Sequence, residues 1–393
     1  MLPSAAARAR LVVDGTGLDQ LLGLLRDAGY RVIGPTVRDR SIVLDELRSI
    51  SELPRGWTDD QEPGSYRLRR REDGAYFGWA VGPHSWRQYL FPARTRLWRA
   101  ERSDDGFDVV IDDPSGEPPF AFVGVRSCDL HAIAIQDRVF IGGGQTDPLY
   151  AHRRQGCFVV AVHCSDPAAT CFCSSMRAGP RAEGGYDLAL TELLGPPHEF
   201  LLEAATEKAV ALLDGIDGRP STPDDVVASL EATARAAERM GRRVETEGIA
   251  ELLASNLEHS RWDEVAERCL ACSNCTLVCP TCFCSSVEDV TDLTGAEAER
   301  WRRWDSCFTL DHSYLNGASV RGTHRDRYRQ WLTHKLGTWI EQFGSSGCVG
   351  CGRCITWCPA GIDLTEEVAA IRAEPTQGPD PADGAMSVRE GQG

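Results

Sequence analysis

The sequence predicts an α/β N-terminal domain with a partly parallel sheet, followed by a helical domain built to hold two metal clusters. Three observations carry this expectation. Phe120–Val125 (FAFVGV) and Phe158–Val162 (FVVAV) are short apolar runs of the buried-strand type, and a helix-like segment separates them. Cysteine is absent from the first 127 residues, whereas five cysteines fall between Cys128 and Cys173 and eleven between Cys269 and Cys358. From Thr222 the alternation of strand and helix gives way to successive helical patterns.

Taken in order, the chain opens with MLPSAAARARLVV, whose arginines are followed by Asp14 and Gly15 rather than a long apolar core. This start suggests neither a signal peptide nor an anchor. No run of about eighteen apolar residues occurs, so no membrane span is expected. A formal net charge of −16 opposes any broad contact with nucleic acid or anionic lipid. We expect a cytoplasmic protein whose partners are other proteins. In a reducing compartment its sixteen cysteines are metal ligands rather than disulfides.

Ala75–Val81 and Val109–Asp112 are candidate additional strands. Leu130–Phe140 carries apolar residues at helical spacing, so residues 120–162 form a βαβ unit, which is normally parallel and right-handed. Gly142–Gly144 is a turn. Thr222-Pro-Asp-Asp is a helix start, with a capping hydroxyl, a first-turn proline and acids at the positive dipole end. It opens a polar helix over Asp225–Met240. Segments 247–258 and 260–268 are also helical. In Arg325–Phe343, Trp331, Leu332, Leu336, Trp339, Ile340 and Phe343 mark one apolar helix face. The residues from Glu374 are rich in Pro, Gly and acids and are expected to be disordered. The expected organisation is a domain over 1–215, a helical linker over 216–247, the cysteine-dense helical domain over 248–373 and a tail over 374–393.

Two cysteine runs carry the chemistry. Cys269, Cys272, Cys275 and Cys279-Pro280 form one; Cys348, Cys351, Cys354 and Cys358-Pro359 form the other. Both follow C-x2-C-x2-C-x3-C-P, the bacterial ferredoxin spacing. Three closely spaced thiolates wrap three corners of a 4Fe–4S cubane, and the fourth reaches the neighbouring cubane. This predicts crossed ligation: Cys269, Cys272 and Cys275 with Cys358, and Cys348, Cys351 and Cys354 with Cys279. Gly350 and Gly352 permit the tight loop. Zinc prefers separate C-x2-C hooks or Cys/His mixtures, so paired cubanes fit better. Residues 280–347 between the runs are more than a compact ferredoxin needs. We therefore expect a helical ferredoxin-like module rather than a small β-ribbon one.

The hexapeptide TCFCSS occurs twice, at Thr170–Ser175 and Thr281–Ser286. In the first region Cys128 and Cys164 follow the two buried strands, where ligands bind in parallel α/β sheets. Cys171 and Cys173 return to the same edge. These four thiolates are candidates for a third 4Fe–4S cluster or a zinc ion, against the alternative that they are small buried residues. Cys157 belongs to the core. Cys282, Cys284 and Cys307 are surplus to the two clusters; packing is favoured over a further site or the shielding of a cluster. His131 and His163 flank the first site, and His312, His324 and His334 lie within the second region. No G-x-G-x-x-G follows a strand, no P-loop occurs, and no catalytic Ser–His–Asp set is assigned.

The motifs GVRSCDLHAI, DRVF, HCSDPAATCFCSSM, GYDLALTEL, RWDSCF, RYRQWLTHKLGTW and CVGCGRCITWCPAGID, with PRGWTDDQEPGSYRL nearer the start, resemble the beta subunit of soluble sulfhydrogenases, the cytoplasmic NiFe hydrogenases. The A subunit of anaerobic sulfite reductase is similar. The likeness runs from about Leu53 to Asp363. It implies a non-catalytic electron-transfer subunit with 4Fe–4S clusters. Its partners would be a flavin subunit that binds NAD(P) and subunits carrying further clusters and the NiFe centre. The eight ferredoxin-spaced cysteines transfer position by position. The other cysteines match family positions without an implied ligation. The alternatives are an electron-transfer subunit of a sulfite or polysulfide reductase, or an enzyme that itself reduces sulfur compounds through its N-terminal cysteines.

Overall fold

The computed structural model describes residues 9–112 and 114–374. Its largest element is an eight-stranded mixed sheet. Across it the strands run Arg219–Pro220, Arg10–Val13, Glu199–Ala204, Leu188–Leu193, Phe158–Val162, Phe120–Val125, Arg31–Arg38 and Ser41–Glu46. The four from Leu188–Leu193 to Arg31–Arg38 are mutually parallel. The remaining pairings are antiparallel. Every residue of Phe120–Val125 and Phe158–Val162 is buried, as continuous apolar strands covered on both faces must be. The expected βαβ unit is present, with the helix Ser127–Phe140 starting directly after the first strand and a short second helix, Pro148–Gln155, capped by Asp147.

Two segments expected as strands differ. Ala75–Val81 is irregular, because side chains satisfy its backbone instead of a neighbouring strand. The Glu192 carboxylate accepts from the N–H groups of Tyr76 (2.6 Å) and Phe77 (2.8 Å). Asp59 accepts from Ala80 N–H at 2.7 Å. The buried Arg126 guanidinium donates to the carbonyls of Phe77 (2.6 Å) and Trp79 (2.9 Å). Near Val109–Asp112, the strand is Gly106–Val110.

Helix Pro223–Glu238 begins with the expected capping box of Thr222 and Asp225. It lies on the main sheet rather than bridging open space. Its buried face is Ser229, Thr233 and Ala236, and the Ser229 hydroxyl pairs with that of Thr191 at 2.7 Å. Small polar residues on this face explain why the helix looks solvated in sequence. Helices Ile249–Ser255 and Arg261–Arg268 follow. The tail beyond Glu374 lies outside the described residues.

The insert between the cysteine runs is not wholly helical. Ser285–Thr291 and Glu297–Trp304 form a hairpin. It pairs with Arg94–Ser103, which pairs in turn with Gly106–Val110, to give a four-stranded sheet contributed by both halves of the chain. The strand EAERWRRW carries too much charge to read as a core strand. Cross-strand contacts hold it instead: Arg94 sits 4.0 Å over the Trp301 ring and Arg300 5.2 Å over Trp98. The long helix of the insert runs His324–Thr333, passes through one π-helical stretch, His334–Thr338, and ends at Phe343. That stretch turns Lys335 inward, where it is 3% exposed despite its charge.

The two halves also meet through a buried ion pair. Arg353, between Cys351 and Cys354, donates to Asp129 of helix Ser127–Phe140 at 2.8 and 3.2 Å and to the Gly82 carbonyl at 3.0 Å. Removing one member of such a pair strands the other charge. Asp129→Ala is expected to cost about 3–5 kcal/mol in denaturant unfolding followed by tryptophan fluorescence. The double variant Asp129→Leu/Arg353→Met is expected to recover most of that loss.

Candidate metal centres

Both cysteine loops use the same backbone. The residues either side of the second cysteine are left-handed in each: Ala271 (φ 48°) and Ser273 (φ 68°), then Gly350 (φ 67°) and Gly352 (φ 77°). A one-turn helix follows each loop, Asn274–Leu277 and Arg353–Thr356. This conformation turns backbone amides toward sulfur. Ala271 N–H donates to Cys269 Sγ, Gly350 N–H to Cys348 Sγ and Ile362 N–H to Cys358 Sγ, all at 3.4 Å. Sequence reasoning found the glycines but missed that Ala271 and Ser273 adopt the same geometry against their ordinary preference.

Cys269, Cys272, Cys275 and Cys358 line one pocket, closed by Phe308, Tyr328, Trp331, Ile362 and Leu364. The neighbours of Cys348, Cys351 and Cys354 include Cys279. Each three-cysteine loop thus meets the last cysteine of the other run. Cys354 borders the first pocket and neighbours Cys275, so the two groups are adjacent. Burial pushes the thiols of Cys275 and Cys354 far up and that of Cys348 to about 12. As free groups they stay protonated. Cationic iron that bound there would take the place of those protons. Among the described residues, no three Cys, His, Asp or Glu side chains are gathered for a single metal ion. Four thiols around one pocket suit a cubane, whose four irons take one thiolate each.

Cys279 differs from the other cysteines of the two runs. The Cys282 thiol donates to it, and with Lys335 and Thr281 nearby its pKa is drawn well down. Lys335 Nζ lies 3.3 Å from Cys279 Sγ and donates to Thr281 Oγ1 (2.9 Å) and the Gly347 carbonyl (3.1 Å). The π-helical stretch delivers this cation, and such stretches recur where function demands an unusual register.

The two TCFCSS copies bracket the second loop. In the first, Phe172 N–H donates to the Gly350 carbonyl at 2.8 Å, and the Thr170 hydroxyl pairs with that of Thr356 at 2.8 Å. In the second, Thr281 Oγ1 donates to the Gly347 carbonyl at 2.6 Å. A Cβ on Gly350 would sit 2.6 Å from the Phe172 carbonyl, and one on Gly352 2.6 Å from that of Thr170. These glycines therefore serve close packing as well as turn geometry.

Cys128, in the first turn of its helix, packs with Cys173 and Cys351. Cys171 and Cys173 each neighbour Cys164. The four N-terminal thiols are thus brought to one sheet edge, directly against the second loop. Cys157 donates to the Arg153 carbonyl at 3.0 Å and packs into the sheet core. Cys284 and Cys307 do more than pack: hydrogen bonds from the Cys307 thiol, then from the His312 ring, hold the Cys284 thiol down to about 4. His163 accepts from Ala182 N–H, His131 contacts the Ser127 carbonyl, and His334 pairs with Gln342. His324 opens its helix.

Residues 268–362 match a family model described as a 4Fe-4S dicluster domain. Over 353 residues the chain is 30% identical to sulfhydrogenase 2 subunit beta of Pyrococcus furiosus, covering 88% of this chain and 94% of that one. No solved structure matches. No helix among the described residues is long and apolar enough to cross a membrane.

The close approach at Gly350 has a measurable counterpart. Gly350→Ala is expected to cost about 1–3 kcal/mol from overpacking, together with a loss of bound iron. Ala271→Gly relieves a left-handed alanine and is expected to be neutral or stabilising by up to about 1 kcal/mol. Thermal unfolding and iron analysis of the two variants check the contrast.

Proposed function

The chain belongs to the family of sulfhydrogenase beta subunits, and from that premise we propose a relay of single electrons through two 4Fe–4S clusters with crossed ligation. Cys269, Cys272, Cys275 and Cys358 hold one; Cys348, Cys351, Cys354 and Cys279 hold the other. The observation that carries this reading is the interleaving of the runs, with Cys358 in the pocket of the first loop and Cys279 beside the second. Each cubane, when bound, takes up and gives back one electron. The protein's part is to keep the two sites adjacent, exclude water and set their electrostatics. Phe308, Tyr328 and Trp331 wall the first site, and Lys335 places a buried cation at the second.

Cys128, Cys164, Cys171 and Cys173 are proposed to hold a third cluster, supported by their gathering against Cys351. In this reading the chain works in the cytoplasm beside a flavin subunit that binds NAD(P) and beside hydrogenase subunits.

Anaerobic purification with iron analysis tests the reading. About eight iron atoms per chain support two cubanes and about twelve support three. Cys171→Ser is expected to lower the count only in the second case. Colourless protein from cells competent to assemble such clusters overturns it. Lys335→Met removes a cation that favours the more negative reduced state. One midpoint potential is expected to fall, on the order of 50–100 mV for the loss of a charged hydrogen bond, in a titration followed by electron paramagnetic resonance.

A further inference from the structure

Cys284 immediately precedes the strand Ser285–Thr291, and Cys307 closely follows its partner Glu297–Trp304. The hairpin sets Ser285 opposite Trp304. Asp305 N–H then donates to the Cys284 carbonyl at 2.9 Å. This rung places the two cysteines side by side, independently of either cysteine loop. Cys307 and the His312 ring lie beside the Cys284 thiol and draw its pKa down. His312 Nδ1 lies 3.2 Å from Asp305 Oδ2. Asp305 is itself fixed, accepting from Ser306 N–H (2.7 Å) and the Thr309 hydroxyl (2.8 Å). Carboxylate, imidazole and two thiols therefore lie in one neighbourhood.

Cys284 and Cys307 are both partly exposed, unlike the buried Cys279 and Cys282. Cys307 belongs to the same packed group as Cys275 and neighbours it. The surrounding charges are Arg87, His334 and Lys335.

We propose that Cys284 and Cys307 form a two-electron thiol–disulfide couple that reduces external disulfides, with Cys284 attacking and Cys307 resolving. The Cys284 thiolate attacks one sulfur of R–S–S–R. Its own S–S bond to RS forms, the R–S–S–R bond breaks, and the released RS⁻ takes a proton. Cys307 then attacks the mixed disulfide at the Cys284 sulfur, expelling the second RS⁻, which takes the Cys307 proton. The net change is one external disulfide reduced to two thiols and one dithiol oxidised to an internal disulfide. Two electrons and two protons restore the dithiol. The electrons come singly from the 4Fe–4S relay, so resetting rests on the function proposed above, while the exchange itself does not. A stabilised thiolate is also a good leaving group, and it makes its disulfide easier to reduce. His312, held by Asp305, is a positioning residue for Cys284.

The test uses the full chain purified without oxygen with its clusters, reduced with dithionite, desalted and exposed to hydroxyethyl disulfide. Peptide mass spectrometry is expected to find a Cys284–Cys307 disulfide that disappears on renewed reduction. Cys307→Ser is expected to trap hydroxyethyl disulfide on Cys284. His312→Gln is expected to move the pH profile of iodoacetamide alkylation of Cys284 to higher pH, with iron content unchanged. Iron-loaded protein that forms no such disulfide, with Cys284 left unmodified in Cys307→Ser, overturns the couple and leaves the relay standing. Loss of iron from Cys284→Ser also overturns it, because the pair would then be ligands. Iron-free protein that still forms the disulfide sinks the relay and keeps the couple.

Discussion

The segment from Gly347 to Cys354 is confined on every side, and most of the architecture follows from that confinement. Phe172 and Thr170 press on Gly350 and Gly352 from one side, and Thr281 binds the Gly347 carbonyl from another. Asp129 anchors Arg353 near its end. The hairpin Trp57–Glu62/Ser65–Arg70 adds a further wall: Tyr66 stacks on Trp357 at 5.2 Å, and Gly64 N–H reaches the Ile355 carbonyl at 3.1 Å. A loop held in this way is preorganised, so thiolate geometry does not depend on bound iron alone.

The distribution of charge supports the same view. The chain is acidic overall, yet Arg87, Arg126, Arg327, Lys335 and Arg353 are all buried. Arg87 donates to the carbonyls of Cys282 (2.6 Å) and Leu277 (2.7 Å) and lies 3.5 Å over the Trp304 ring. Arg327 donates to the Phe308 carbonyl at 2.7 Å. Burying five cations is costly unless they serve as anchors or face negative charge. A thiolate-rich site that binds an anionic cluster supplies such charge.

Much of the site was legible because ligand spacing is local. Cubane corners must be reached within a few residues, so Cys269–Cys279 and Cys348–Cys358 announce themselves. The buried βαβ strands were legible because parallel sheets demand unbroken apolar runs. The rest was hidden for particular reasons. Glu297–Trp304 alternates arginine with tryptophan and is stabilised by ring–cation contacts that hydropathy does not register. The inward turn at Lys335 is a change of helical register that leaves the apolar spacing of Arg325–Phe343 intact. The left-handed Ala271 and Ser273 carry no compositional mark. His312 reaches Cys284 only because the hairpin folds back, so proximity along the chain understated the role of Cys284.

The shared four-stranded sheet bears on how the chain is made. Arg94–Ser103 leaves the ribosome roughly two hundred residues before the strand Glu297–Trp304 that must lie beside it. Throughout that interval the nascent N-terminal half presents an unfilled flank, open to pairing with a neighbouring chain. Its arginines, repelling those on a second copy, help keep the vacancy reserved until the rightful strand arrives.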